Sequence, residues 1–408
     1  MAKKTEVEWA AEEAGAVTAY GDELLRSLAR CLCAVEDPRQ AKGLRHRLVN
    51  VLTIAVLGCM CRCDDAEALE DWGRKEIEWL GGFLDLPHGV PSQDVYLRVL
   101  AAIDPTQFRL AFHAWMQEAF ALLGLEGQIA IDGQTHRRSH DRTKDKKAVH
   151  MVHALMCETG LVLGQVATEE KSNEIVAIPI LLQLLDLRGA LISIDAMGTQ
   201  RKIARQIVDG GGDYLLALKG NQSSLHTQVR EAFTEALDDR PRAIEETAPP
   251  QVETDTQVDG GHGRIETRVA RVLTDFEPWV AVTQRWKGLE CLVSITATRE
   301  DTTTGKVSTE TRYYVTSRAL TAAEANEAVR SHWLVENRLH WCLDMTFGQD
   351  ACRIRTGHAT ENFAVVRHFA LNIIRSYQGD RLSMPRRRRL CDFQQDYRER
   401  LLRAVTTA

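Results

Sequence analysis

Residues 128 to 237 hold the order of elements that most narrows the fold. "QIAID" (128–132) is a short apolar strand that ends on Asp132. "HMVHALMC" and "LVLGQVAT" are strand-like runs joined by Glu158, Thr159 and Gly160, a hairpin signal. "IPILLQLLDL" reads as a helix with Pro179 in its first turn, where a missing N–H is tolerated. "ALISIDA" is a buried strand ending on Asp195. "TQRKIARQIVDGGG" is a helix with Thr199 near its start and glycines at its end. "DYLLALKG" is another strand, and "SSLHTQVREAFTEAL" another helix.

Three sequential strands followed by helix, strand, helix, strand, helix is the order of an RNase H-like sheet. In that order the first and fourth strands lie side by side in the middle, which brings Asp132 and Asp195 together. The expected fold is therefore α/β, a mixed sheet flanked by helices. Residues 1–125 read as an all-helical N-terminal domain: "HRLVNVLTIAVLGCMC" and "AEALEDWGRKEIEWLGGFL" have helical apolar spacing, and Ser92 is a plausible N-cap for "SQDVYLRVLAAI". This domain is expected to bind DNA, although no helix-turn-helix signature stands out. The catalytic domain spans 126–375. It contains a β-rich insertion at about 240–318 that reads as a small sheet of its own, from "RIETRVARVL", "WVAVTQRW", "CLVSITATRE" and "TRYYVTS". "TAAEANEAVRSHWLVENRLHWCL" reads as one long helix, and residues 376–408 as a basic C-terminal tail.

Composition excludes some classes. No run of 18 apolar residues is present, so no membrane span is expected. "MAKKTEVEWAAEEAGAV" lacks an apolar signal core, and the expected location is the cytoplasm. Net charge is -6, but the charge is unevenly spread. Residues 229–260 hold nine acids and three arginines, while "HRRSHDRTKDKK" holds six basic residues and two acids. "PRRRRL" (Arg386 to Arg389) adds another basic block. Such blocks are also common on solvated faces. Ten cysteines include Cys59, Cys61 and Cys63 in "CMCRC". That spacing lacks the C-x2-C pairs of structural zinc sites and reads as reduced, partly buried thiols.

Asp132 and Asp195 at strand ends and Glu336 on a helix make an oxygen-rich set that suits Mg2+ or Mn2+. Paired divalent ions serve phosphoryl transfer by activating one oxygen and stabilising another. Each residue alone has a plainer reading, as a turn, cap or exposed helical charge. Asp344 and Asp350 are rival carboxylates.

The stretches "IAIDGQT", "KSNEI", "SIDAMGTQ", "DYLLALKGNQ", "GRIETR" and "HWLVENRLHWCLDMTFGQDACRIRTGHA" resemble, in that order, bacterial insertion-sequence transposases of the D-D-E type, in the H-repeat-associated branch. "DPRQAKGLRHRL" and "VPSQDVYLRVL" extend the resemblance over nearly the whole chain. It implies that Asp132, Asp195 and Glu336 form a catalytic triad binding two Mg2+, with Mn2+ able to substitute. It implies double-stranded DNA as partner, a homodimer or higher assembly at paired element ends, and work at the bacterial nucleoid. The implied reaction is cleavage at element ends and joining of the 3'-OH strand to target DNA. Some positions depart. Relatives often have lysine where this chain has Gln134. Related groups place tyrosine, arginine and lysine where this chain has Val329, His332 and Leu343, and His332 is the candidate stand-in for the arginine.

Candidate phosphate contacts are Arg137, Arg138, Lys219, Asn221, Gln222, Arg338, Arg353 and Arg355, with His332 and His340 one turn either side of Glu336. Each competes with a solvated-loop or structural-histidine reading. Trp279 or Trp286 could stack on a displaced base, though core packing suits them better. Trp333 and Trp341 read as core. Two other functions share these features: a nuclease of the same fold that cuts without joining, and a catalytically silent DNA-binding protein. The intact carboxylate set argues against the second.

Overall fold

The structure, a computed structural model, describes residues 23–40, 44–120, 127–136, 139–140, 148–168, 174–237, 251–261, 263–274, 276 and 285–404. Six helices come first: α1 (Glu23–Leu32), α2 (Leu48–Met60), α3 (Ala66–Lys75), α4 (Ile77–Gly81), α5 (Gln93–Ala102) and α6 (Pro105–Phe120). Every residue of α2 is buried, which is why its sequence is apolar on all sides. Cys59, Cys61 and Cys63 sit at its end as buried free thiols. Burial pushes the Cys59 thiol up to about 12, an inert state for a cysteine.

The chain then builds β1 (Gln128–Thr135), β2 (His150–Met156), β3 (Val162–Thr168), α7 (Glu174–Leu184), β4 (Leu191–Ile194), α8 (Arg201–Asp209), β5 (Asp213–Leu218) and α9 (Ser223–Ala236). The order read from sequence is present. Pro179 is the exception: α7 starts at Glu174, so the proline falls inside the helix. β6 (Val252–Gly261), β7 (Arg264–Leu273), β8 (Cys291–Asp301) and β9 (Val307–Thr316) follow.

All nine strands form one sheet in the order β3-β2-β1-β4-β5-β9-β8-β7-β6. β1 runs antiparallel to β2 and parallel to β4, and β4 runs parallel to β5. The β-rich segment is therefore not a separate small sheet. β9 pairs with β5 from Leu215↔Thr316 to Leu218↔Tyr313, so the insertion extends the main sheet edge. β6, but for its last residue, lies in the acidic run 229–260, which no strand reading covered. It pairs with β7 along its whole length, with its side chains largely in solvent. The run 277–284, with Trp279, lies outside the described residues. Trp286 is buried and packs in the core.

α10 (Ala322–His332) crosses the β6–β7 arm and β1. Its small face, Ala322, Ala325 and Ala328, closes a core with Ala270, Val272, Val293 and Ile295. α11 (Trp341–Met345) and α12 (Ala359–Ser376) follow. α12 packs on α2, α5 and α6, with Phe369 edge-on to Phe112 at 4.9 Å.

The segment after 376 is not a loose basic tail. It forms α13 (Met384–Phe393) and α14 (Gln395–Ala404). Arg388 reaches Asp64 at 2.6 Å and the Cys59 carbonyl at 2.7 Å. Arg398 pairs with Glu76 and lies 4.4 Å from the Trp79 ring centre. Arg387 holds Asp380. These buried arginines have their acids on other elements, which composition cannot reveal. Among the described residues no helix is long and apolar enough to cross a membrane.

Candidate active site

The β1–β4 ladder sets two carboxylates side by side. Its last pair is Ile131↔Ile194, so Asp132 and Asp195 leave adjacent strands at the same edge. Neighbouring strands are about 4.8 Å apart. Asp195 then caps a short turn, its Oδ1 accepting the Met197 N–H at 2.9 Å. The Asn221 amide donates to the Ala196 carbonyl, and the Gln222 amide to the Thr199 carbonyl at 3.0 Å. Both residues, candidates for phosphate contact, thus brace the Asp195 turn. Lys219 beside them is exposed.

Glu336 is not on one long helix. α10 stops at His332, and residues Val335–His340 form a π-helical segment before α11. The Trp341 N–H bonds back to the Glu336 carbonyl, five residues earlier. Such wide turns are rare and concentrate at functional sites. Val335, Leu339 and His340 face inward, and the segment packs on β1. The Glu336 side of the segment is exposed.

Asp132 feels all of these groups. Burial pushes its carboxyl up to about 7, the Gly133 N–H opposes this, and the charges of Asp195, Glu174 and Glu336 raise it further. Three carboxylates therefore act on Asp132 here. Among the described residues, no three His, Cys, Asp or Glu side chains are already gathered closely enough to hold a metal ion.

Glu174 is the residue that the sequence reading missed. It is buried at the start of α7 and meets His150 Nε2 at 2.6 Å. His150 Nδ1 in turn lies 2.8 Å from Thr135 Oγ1. A Cβ on Gly133 would fall 2.3 Å from Glu174 Oε1, so the glycine is required by the close approach of this pair. Its sequence signals were an acid opening a helix, which is common, and its place in "KSNEI", a stretch of the resemblance to which no role was given.

The flanking histidines divide. His332 Nδ1 lies 3.0 Å from Ser193 Oγ on β4. Burial holds His332 down to about 4 against the pull of Asp195. His340 is buried, its Nδ1 3.8 Å from Asp132. The two rings therefore face different strands, His340 buried and His332 half-buried. Behind His340 stand His153 and His368, ring centres 5.3 and 5.1 Å along the chain of contacts. Both His153 nitrogens are buried without a hydrogen-bond partner. Burial lowers His153 and His368, which keeps this wall neutral.

Gln134 does not face a substrate phosphate. Its amide donates to Asp344 at 2.8 Å, and the Gln349 amide reaches the His136 ring at 2.8 Å. Asp344, a rival carboxylate, is thereby engaged. Arg338 and Arg353 are exposed and Arg355 half-buried, while Arg137 and Arg138 lie outside the described residues. Trp333 and Trp341, expected in the core, are 38% and 59% exposed.

Comparison with known proteins identifies the family. A family model described as "Transposase DDE domain" matches residues 98–373, and one described as "DDE_Tnp_1-associated" matches 29–116. A putative transposase, YncI of Escherichia coli O157:H7, is 39% identical over 93% of this chain and 95% of its own. The H repeat-associated putative transposase YhhI of Escherichia coli K12 is 34% identical over 91% and 97%. A piggyBac transposase synaptic complex with hairpin DNA aligns at 11% identity and TM-score 0.40, over 97% of this chain and 81% of that one. The chain belongs to the DDE-domain transposase family, in company with the H repeat-associated members.

Proposed function

We propose that this chain is a DNA transposase whose Asp132, Asp195 and Glu336 cleave at insertion-sequence ends and transfer the 3'-OH strand into target DNA. The observation that carries the reading is the register of β1 and β4, which sets Asp132 beside Asp195, together with the packing of the Glu336 segment on β1. The order β3-β2-β1-β4-β5, antiparallel then parallel, supports an RNase H-like core within 126–375. The helices of 1–125 would present DNA to it, and a homodimer or higher assembly would pair the ends. The reaction would take place in the cytoplasm, at the nucleoid.

The residues fit a hard divalent cation. Burial and, after it, like charges raise Asp132, and a cation between the carboxylates would offset both. Asp132, Asp195 and Glu336 would hold two Mg2+, with Mn2+ as substitute; when bound, these supply activation of the attacking oxygen and stabilisation of the leaving one. The chain does the positioning. The Asn221 and Gln222 amides fix the Asp195 turn, and the exposed side of Glu336 leaves room for the DNA backbone. Exposed Lys219, Arg338 and Arg353 are available to phosphates, which orient DNA without reading it.

The test is strand transfer by purified protein on duplexes carrying the element's own ends, with Mg2+ and a target plasmid. Wild type should nick the ends and join them. Glu336→Gln should bind equally and lose cleavage by on the order of 10^3-fold. Cutting without joining would favour a nuclease, and binding without cutting by either protein a silent DNA-binding protein.

A further inference from the structure

β1 outruns its neighbour in the sheet. Its ladder with β4 ends at Ile131↔Ile194, while its ladder with β2 continues to Thr135↔His150. The His136 N–H goes on to bond the Val149 carbonyl at 2.9 Å. Two strands therefore project past Asp132 and Asp195 as a wall beside the carboxylates. Side chains alternate along such a strand. Gln134 takes one side, where Asp344 holds it. Gly133 and Thr135 take the other, where His150 and Glu174 stand.

Thr135 is the exposed end of a short chain of polar groups. Its Oγ1 lies 2.8 Å from His150 Nδ1, and His150 Nε2 lies 2.6 Å from Glu174 Oε1. His150 and Glu174 are buried, whereas Thr135 is open to solvent. An ionised Glu174 takes the Nε2 proton, and a neutral ring then leaves Nδ1 as a lone pair. The Thr135 O–H fills that lone pair. The hydroxyl therefore turns only acceptor capacity outward. A carboxylate that fixes an imidazole, which in turn fixes a hydroxyl, sets direction as well as position.

Acceptor-only chemistry selects the group that it meets. The oxygens of DNA phosphates and sugar rings accept, so they are poor partners for this hydroxyl. The donors of a duplex are the exocyclic amino groups of adenine, cytosine and guanine, in the grooves. Thr135 lies three residues beyond Asp132. That is about 10 Å along the strand, or about three base steps.

We propose that Thr135, oriented by the Glu174–His150 pair, is a specificity-determining residue that accepts a hydrogen bond from the exocyclic amino group of a base a few positions from the cleaved bond. The proposal rests on DNA being the substrate, as argued above. It gives a positioning role to a buried pair that cleavage itself leaves unused.

The experiment measures affinity of the full chain without divalent cation, so that the probes stay whole. The probes are a duplex carrying the element's end, an unrelated duplex, and two sets of altered ends. One set deletes a single amino group near the cleavage position, by purine for adenine, inosine for guanine or 2-pyrimidinone for cytosine. The other replaces a single phosphate there by methylphosphonate. Wild type should lose about fivefold in affinity when one particular amino group is deleted. Thr135→Val keeps the shape and removes the hydroxyl. It should bind the natural end about fivefold more weakly and no longer respond to that deletion. Thr135→Ser should respond as wild type does. His150→Gln keeps a donor toward Glu174 and removes the acceptor for Thr135, so it too should lose the response. Thermal midpoints should be unchanged for both Thr135 variants, whose side chain is exposed, and these two decide the outcome where His150→Gln is unstable.

The proposal is overturned if no amino deletion affects wild type, or if Thr135→Val keeps the response. It is also overturned if the Thr135-dependent response follows a methylphosphonate instead, which would mean that the ring is charged and the hydroxyl donates. A folded His150→Gln that keeps the response removes the buried pair as the source of direction. Failure of wild type to bind either duplex sinks the DNA reading itself, a result distinct from the others.

Discussion

The aspartates and the glutamate of the site stand on different kinds of backbone. β1 and β4 are inner strands of a nine-stranded sheet, bonded on both edges, with Ile129, Ile131, Ile192 and Ile194 buried. There, register alone places Asp132 next to Asp195. Glu336 lies on a π turn between two helices, held by Val335, Leu339 and His340 beneath it and open above. The sheet side is fixed by a ladder of many bonds. The helix side is fixed by a local irregularity whose cause is tertiary packing. In the proposed function, a pair fixed by a ladder facing a glutamate on an irregular turn would suit a substrate that must arrive and leave.

The sharpest way to probe the sheet side is Asp132→Asn. Cleavage should fall by on the order of 10^3-fold. Stability should move the other way. The Asp132 carboxyl titrates near 7 when folded, against an ordinary 3.8. Between about pH 4 and 7 the folded chain holds a proton that the unfolded chain has lost, so stability falls as pH rises through that window. The penalty is absent below about pH 4 and complete above about 7. Thermal midpoints without divalent cation should therefore be higher for Asp132→Asn than for wild type at pH 8, and equal near pH 4. Equal midpoints at both would mean that neither burial nor the neighbouring carboxylates hold the Asp132 carboxyl up.

Gly133→Ala comes next in size. The new Cβ would fall 2.3 Å from Glu174 Oε1 and 2.4 Å from His150 Nε2. Both partners are buried and bonded to each other, so neither can swing to water. Overpacking and a disturbed buried pair should together cost about 3 kcal/mol. Urea unfolding should show a lower midpoint at unchanged slope. A loss within experimental error would show that the sheet side yields as readily as the helix side, and the contrast would fail.

The same contrast governs what the sequence discloses. Buried strands write themselves as short apolar runs, so "QIAID" and "ALISIDA" locate the aspartates. β6 is hidden because "VETDTQVDGG" carries three acids and lies mostly in solvent. The break at Trp333 is hidden because "SHWLVENRLHWCL" keeps helical apolar spacing; only contact with β1 reveals that an extra residue is accommodated. Glu174 was invisible because its partner His150 and its neighbour Gly133 come from other strands. Arg388 and Arg398 were misjudged because Asp64 and Glu76 lie more than three hundred residues earlier. Local pattern thus discloses the ladder, and long-range charge pairing and irregular turns escape it.

The smallest effect tests how far the helix side depends on its own ends. Thr321 caps α10: its Oγ1 accepts the Glu324 N–H at 3.2 Å, and Glu324 accepts the Thr321 N–H at 2.8 Å. Thr321→Ala removes the first bond and weakens the second, which should cost about 1 kcal/mol. α10 is also tied to the sheet, through Asn326 to Asp255 at 2.9 Å and through its alanine face. The cap lies four turns before Glu336, and those ties intervene. Cleavage by Thr321→Ala should therefore stay within about twofold of wild type while urea unfolding registers the lost cap. A drop in cleavage approaching that of Glu336→Gln would mean that the π turn inherits its geometry from the helix start. In that case the glutamate would be placed by the sequence-local helix after all, and the two sides of the site would differ in stability but not in origin.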